Sequence, residues 1–241
     1  MNSSANSGWI LARNLTSDGE MTQSPRSVQP SEIPDSYLTL ATSGESELRI
    51  QRSRFLGFAY QADCEEEART VVGDLARRYH DARHVCFAWR VGVPPQIREL
   101  RNDDGEPGGT AGEPILTAIR RRELTCCLTA VVRYFGGIKL GTGGLSRAYG
   151  QAATEALAAA TVREVLLGRE FRLEFAYSLQ KTMTYLLDGH RGRTIDATYT
   201  DLVVWRVWLP HSTWAAFAGA VSEATAGSVV LDSIPGPEYP I

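Results

Sequence analysis

Lysine is almost missing from this chain, and cysteine and methionine are scarce. Two lysines, Lys139 and Lys181, stand beside 23 arginines. Such a ratio reads first as genomic base composition and only second as selection for bidentate phosphate contacts. Four cysteines, Cys64, Cys86, Cys126 and Cys127, form no CxxC pair and no metal-ligand spacing. That pattern excludes a zinc ribbon and a disulfide framework, and it fits reduced thiols in a cytoplasmic protein. No apolar run approaches the ~18 residues of a membrane span, and no basic-then-apolar leader opens the chain. The GxSxG elbow is missing, as are a Cys-His nucleophile arrangement and a glycosidase-like acid pair. His80 and His84 are four apart, but the first follows a helical pattern and the second opens a strand, which excludes a helical zinc pair.

What remains is a chain of 241 residues, 43% hydrophobic, with a formal charge of -3, a size suited to one or two globular domains. The charge is unevenly placed. Residues 1–45 hold 2 basic and 5 acidic groups, 46–160 hold 16 and 14, and 161–241 hold 7 and 9, so only the middle is net basic.

Residues 1–36 are rich in Ser, Asn, Thr, Gly and Pro, with too few apolar groups to offset the entropy of ordering, and are expected to be a disordered extension within which Met21 is a candidate start. From Tyr37 the stretches SYLTLAT and ELRIQ read as short strands around a Ser43–Gly44 turn, followed by SRFLGFAYQA. A helix then follows, with Asp63 as its cap, Glu66 at capping-box spacing and apolar residues recurring from Ala68 to Tyr79. HVCFAWRVG alternates, placing Val85, Phe87, Trp89 and Val91 against helices and His84, Cys86, Ala88 and Arg90 on a face expected to be open. QIRELRN reads as a further strand, PILTAIRRR as a helix opened by Pro114, LTCCLTAVVRYF as a buried strand, and the alanine-rich stretch from Leu145 to Ala160 as a helix lying close to the sheet. After a boundary near Thr161 the order is βαββαβ, the ferredoxin-like arrangement, up to residue 234, with a loose tail at 235–241.

Two segments carry the candidate chemistry. In VVRYFGGIKLGTGGLSRAYG a strand, a turn with five glycines and a helix follow one another, so a phosphate is expected at Gly141, Gly143 and Gly144, with Arg133, Lys139, Ser146 and Arg147 around it. The match to named phosphate loops is poor, because no Lys-Ser/Thr closes the GxxxxG spacing and GTGGLS lacks the last glycine of GxGxxG. In RNDDGEPGGTAGEP the acids Asp103, Asp104 and Glu106 either pair with arginines and a helix start, as architecture, or hold Mg²⁺ beside a bound phosphate. His84 and Arg90 are candidate ligand contacts on the open strand face.

The motifs ARHVCFAWRVG, DDGEPGGTAGEPIL and VVRYFGGIKLGTGGLSRAYG, in this order, closely resemble the signatures of the Impact/YigZ family over roughly residues 46–160, and the βαββαβ end resembles the C-terminal domain of its bacterial members. The resemblance implies an α+β protein with an N-terminal ribosomal protein S5 domain 2-like domain at 37–160 and a ferredoxin-like, elongation factor G-like domain at 161–234. It implies translation regulation for the eukaryotic members, under amino-acid starvation and by competition for a kinase-activating partner. For the bacterial members it implies association with nucleic acid or the ribosome. The partner-binding domain of the eukaryotic members has no match in this sequence, so the kinase pathway is not carried over. No agreed catalytic residue is transferred.

The leading reading is therefore a binding protein contacting RNA or a ribosomal component through the basic glycine turn and the open sheet face. Two alternatives stay beside it. One is an enzyme or sensor of a phosphorylated small molecule, with Mg²⁺ at the acidic loop and His84 as acid-base. The other is a protein-interaction module working through Trp208 and the C-terminal sheet.

Overall fold

The structure, a computed structural model, describes residues 34–234. Met21, the tail and all but the last three residues of the expected extension lie outside the described residues.

Five antiparallel strands form the first sheet. They are β2 (Gly44–Ile50), β3 (Ser53–Gln61), β4 (His84–Val91), β5 (Arg98–Asn102) and β6 (Cys127–Tyr134), in the order β2-β3-β6-β4-β5. Helix α1 (Glu65–Arg78) covers one face, where Leu75 and Ala68 meet Leu56, Phe58, Trp89, Val91, Leu128 and Val132. Helices α2 (Gly112–Arg121) and α3 (Gly141–Ala159) cover the other. The β4 face expected to be open is therefore closed: Cys86 and Ala88 are fully buried against α2 and α3. Small side chains there serve close packing, since a helix whose inner stripe is Ala148, Ala152, Ala153 and Ala156 needs a shallow surface to rest on. The approach reaches backbone contact at Gly57 in β3, where a Cβ would lie 2.5 Å from the Ala152 carbonyl oxygen.

The expected hairpin at Ser43–Gly44 is replaced by two different pairings. Strand β1 (Ser36–Leu40) runs antiparallel to β7 (Val162–Leu166), matching Ser36 with Leu166 and Leu40 with Val162. The hairpin is β2–β3, whose two turn residues, Gln51 and Arg52, both have positive φ, 43° and 65°, as the twist of a two-residue turn demands. At α1 the cap is shifted by one residue: Cys64 occupies the cap, and the Glu67 carboxylate accepts the Asp63 backbone N–H at 2.8 Å.

The second sheet contains β8 (Gly168–Phe175), β9 (Arg193–Tyr199), β10 (Val203–Pro210) and β11 (Leu231–Ser233), in the order β11-β8-β10-β9. With α4 (Gln180–Gly189) and α5 (Trp214–Ala224) between them, this is the ferredoxin-like arrangement. Its core gathers Phe171, Leu173, Met183, Leu187, Val207, Phe217 and Val221 and shares no residue with the clusters of the first sheet. Trp208, offered above as a contact surface, is 4% exposed; it lies against Gly168 and beneath the Arg193 guanidinium. The first described residues are tied to this half, because the Asp35 carboxylate accepts the Ser212 N–H and hydroxyl at 2.8 and 2.6 Å.

Candidate functional site

The acidic loop folds onto the end of the first sheet, and each of its carboxylates has work there. Asp103 accepts the Ala111 and Gly112 N–H groups on Oδ1 and the Gly109 N–H on Oδ2, all at 2.8 Å. It thereby caps α2 from eight residues away, in place of a side chain at the helix boundary itself. Burial works against its charge, but the three N–H donors outweigh that and hold its carboxyl below the usual carboxylate range. Asp104 accepts the Val85 N–H on Oδ2 at 2.6 Å, and its carbonyl oxygen meets His84 Nδ1 at 2.6 Å.

Glu106 reaches deepest. Its Oε1 accepts from Arg133 Nη1 at 2.5 Å and from the Tyr149 hydroxyl at 2.8 Å, with His84 Nε2 at 3.8 Å. The side chains of Glu106 and Arg133 are 4% and 5% exposed. Burial, with Cys86 and Glu106 adding to it, pushes the Tyr149 phenol far above its ordinary value, so it stays protonated and donates. Burial likewise pushes the Cys86 thiol up to about 12, and its Sγ lies 3.0 Å from the Asp103 carbonyl. The acidic segment and the basic segment thus meet through Glu106 and Arg133, 27 residues apart in sequence.

This arrangement corrects several sequence expectations. Arg133 and Glu106 pair with each other inside the protein, and Asp103 binds backbone N–H groups, so these three act as internal supports. Among the described residues no group of three or more acids, histidines or cysteines is placed to hold a metal. Arg90 does not join His84. Six residues along β4 separate them by roughly 20 Å, and Arg90 pairs with Glu99 at 2.8 Å and donates to the Leu124 carbonyl. His84 is wedged between loop and strand with its side chain 13% exposed.

The glycine turn is different in kind. Phe135, Gly137, Ile138, Lys139, Gly141 and Gly143 are exposed, Ser146 and Gly144 are half-buried, and Arg147 is exposed. Helix α3 starts at Gly141 with no side-chain cap, leaving its first N–H groups facing the turn. A Cβ at Gly143 would lie 3.5 Å from the Arg147 guanidinium, which puts that cation at the same helix start. The tip of the β2–β3 hairpin lies alongside: a Cβ on Gly136 would sit 2.1 Å from the Arg52 carbonyl carbon, so only glycine lets these two backbones touch. Among the described residues no carboxylate pairs with Arg52, Arg83, Lys139 or Arg147. The acids at this end are otherwise engaged, Glu47 with Arg49 and Arg54, Asp74 with Arg77, and Asp81 with the Tyr134 hydroxyl. The set Phe135, Arg83 and Arg52 escapes sequence reasoning. Its faint signals are an aromatic ring standing just where a buried strand runs into glycines and a hairpin turn that carries arginine in place of glycine.

The model of the Impact N-terminal domain matches residues 51–157, which contain both the acidic loop and the glycine turn. IMPACT family member YigZ of Escherichia coli K12 is 36% identical over 186 residues, covering 77% of this chain and 91% of that protein. IMPACT family member YvyE of Bacillus subtilis 168 is 34% identical over 192 residues, covering 80% and 88%. A solved crystal structure of a hypothetical protein superposes with a TM-score of 0.57 at 33% identity, covering 84% of this chain and 99% of that one.

Proposed function

This chain belongs to the Impact family, a group generally linked to translation regulation, and from that premise we propose that it binds RNA or an RNA-bearing ribosomal component in the cytoplasm through the glycine turn. The observation that carries the reading is the set of cations, Arg52, Arg83, Lys139 and Arg147, left without carboxylate partners around an uncapped helix start, at one end of a protein whose net charge is -3. Phosphates are held by such groups, N–H donors fixing position and cations releasing counterions. The sheet face has no part in it, because α2 and α3 cover it. No helix among the described residues is long and apolar enough to cross a membrane.

Filter binding of a structured RNA across a salt series tests the reading. Lys139→Ala with Arg147→Ala is expected to weaken binding at low salt and to flatten the slope of log K against log salt by about 1.4, ~0.7 for each lost phosphate contact to a single strand. Lys181→Ala, on α4 of the second sheet, is expected to leave the slope unchanged. Absence of binding at low salt, or the same slope in the double variant, would falsify the proposal.

A further inference from the structure

Beside the phosphate-holding groups stands a run of alternating rings and guanidiniums that no step above uses. The Arg133 guanidinium lies 5.4 Å from the centroid of the Phe55 ring and 5.4 Å from that of Phe135, and the Arg83 guanidinium lies 5.6 Å from Phe135. The inner members are buried, Phe55 at 0% and Arg133 at 4% exposure. The outer members reach the surface, with Phe135 39% exposed, Arg83 exposed, and Ile138 three residues on at 42%. We infer that Phe135 and Arg83 form a stacking site for an unpaired RNA base, so that the site takes single-stranded segments and not duplex. The inference rests on the RNA-binding reading and deepens it.

The occupant follows from chemistry. A flat apolar ring flanked by planar cations accepts another flat π system, on the phenyl ring or on the guanidinium plane. The surrounding unpaired cations Arg52, Lys139 and Arg147 require that occupant to be tethered to negative charge. A nucleotide meets both conditions. A base inside an A-form helix does not, because its faces are covered by its neighbours and the grooves present only edges and hydroxyls. The ring is also held in place before anything binds. Arg133 beneath it is fixed by Glu106, which Tyr149 holds in turn, so little side-chain entropy is left to lose on stacking.

A 12-nucleotide RNA carrying 2-aminopurine, alone and annealed to its complement, provides the test. The single strand is expected to bind at least tenfold tighter than the duplex and to lose 2-aminopurine fluorescence on binding. Phe135→Leu is expected to abolish that quenching and to weaken single-strand binding about 5- to 160-fold, the range one stacked base supplies. Phe135→Trp is expected to retain both. Tyr185→Leu, at a 78% exposed tyrosine of α4, is expected to change neither. Equal affinity for strand and duplex, or an unchanged quench in Phe135→Leu while Lys139→Ala still weakens binding, overturns the stacking site and leaves the phosphate contacts standing. No binding of either RNA at low salt overturns both.

Discussion

Asp103 shows how one side chain can hold a loop that has no regular structure. Three N–H groups converge on it, from Gly109, Ala111 and Gly112, the last two being the cap and the first residue of α2. Asn keeps one acceptor and turns an amide toward the remaining donors, so Asp103→Asn is expected to cost about 2 kcal/mol, read as a lower urea midpoint. The same contacts set a pH dependence. Because the native carboxyl titrates below its unfolded value, its stabilisation is complete above that value, ~3.9 for a free aspartate, and is lost as pH falls through the lower native one. The acid limb of a stability-against-pH curve is accordingly expected to be shallower in Asp103→Asn than in the parent. None of this was legible in the sequence beyond the general pairing of acids with a helix start, because the capping residue lies nine positions from the first N–H it bonds on α2.

Between elements, the Glu106–Arg133 pair fastens the acidic loop to β6 and, through Tyr149, to α3. Removing one member leaves a buried charge, so Glu106→Gln or Arg133→Met alone is expected to lower stability by about 3–5 kcal/mol. Glu106→Gln combined with Arg133→Met removes both charges and is expected to recover most of that loss. Equilibrium unfolding of both singles and the double reads it; additive losses would place the two groups in separate environments. The elements themselves were largely legible. Alternation marked β3 and β4, period marked α1 and α3, and the βαββαβ order of the second half appears as read. The failures have physical causes. Cys86 and Ala88 look like an open face because smallness and exposure leave the same mark in a sequence, and only the alanine stripe of α3 distinguishes them. The Ser43–Gly44 turn misleads because Gln51–Arg52 lacks the Asn-Gly signature that a two-residue hairpin normally shows.

Over the whole molecule, a net charge of -3 conceals a polar distribution. The cations Arg52, Arg83, Lys139 and Arg147, which have no carboxylate partner among the described residues, lie toward the start of β4, while Asp63, Glu65, Glu66 and Glu67, with Arg98 and Arg163, line a cleft of about 880 Å³ near its far end. Local clusters of this kind are what a net charge alone does not reveal. The two sheets also keep separate cores. Phe217→Ala, which empties part of the second one, is expected to cost about 3–5 kcal/mol and to raise amide exchange in β8 and β10. Protection in β3 and β6, and RNA affinity, are expected to stay at parental levels. Loss of protection in all four strands would mean that the halves melt together. What joins them is the ribbon of β1 and β7, whose matched residues lie 122 to 130 positions apart. During synthesis β1 leaves the ribosome long before its partner exists, and at ~5–20 residues per second the wait is on the order of ten seconds. Leu38 can meet the Leu124–Thr125 segment sooner, but for that interval the edge of β1 that meets β7 has no partner, so the nascent chain is exposed to mispairing at the strand that the finished protein uses as its seam.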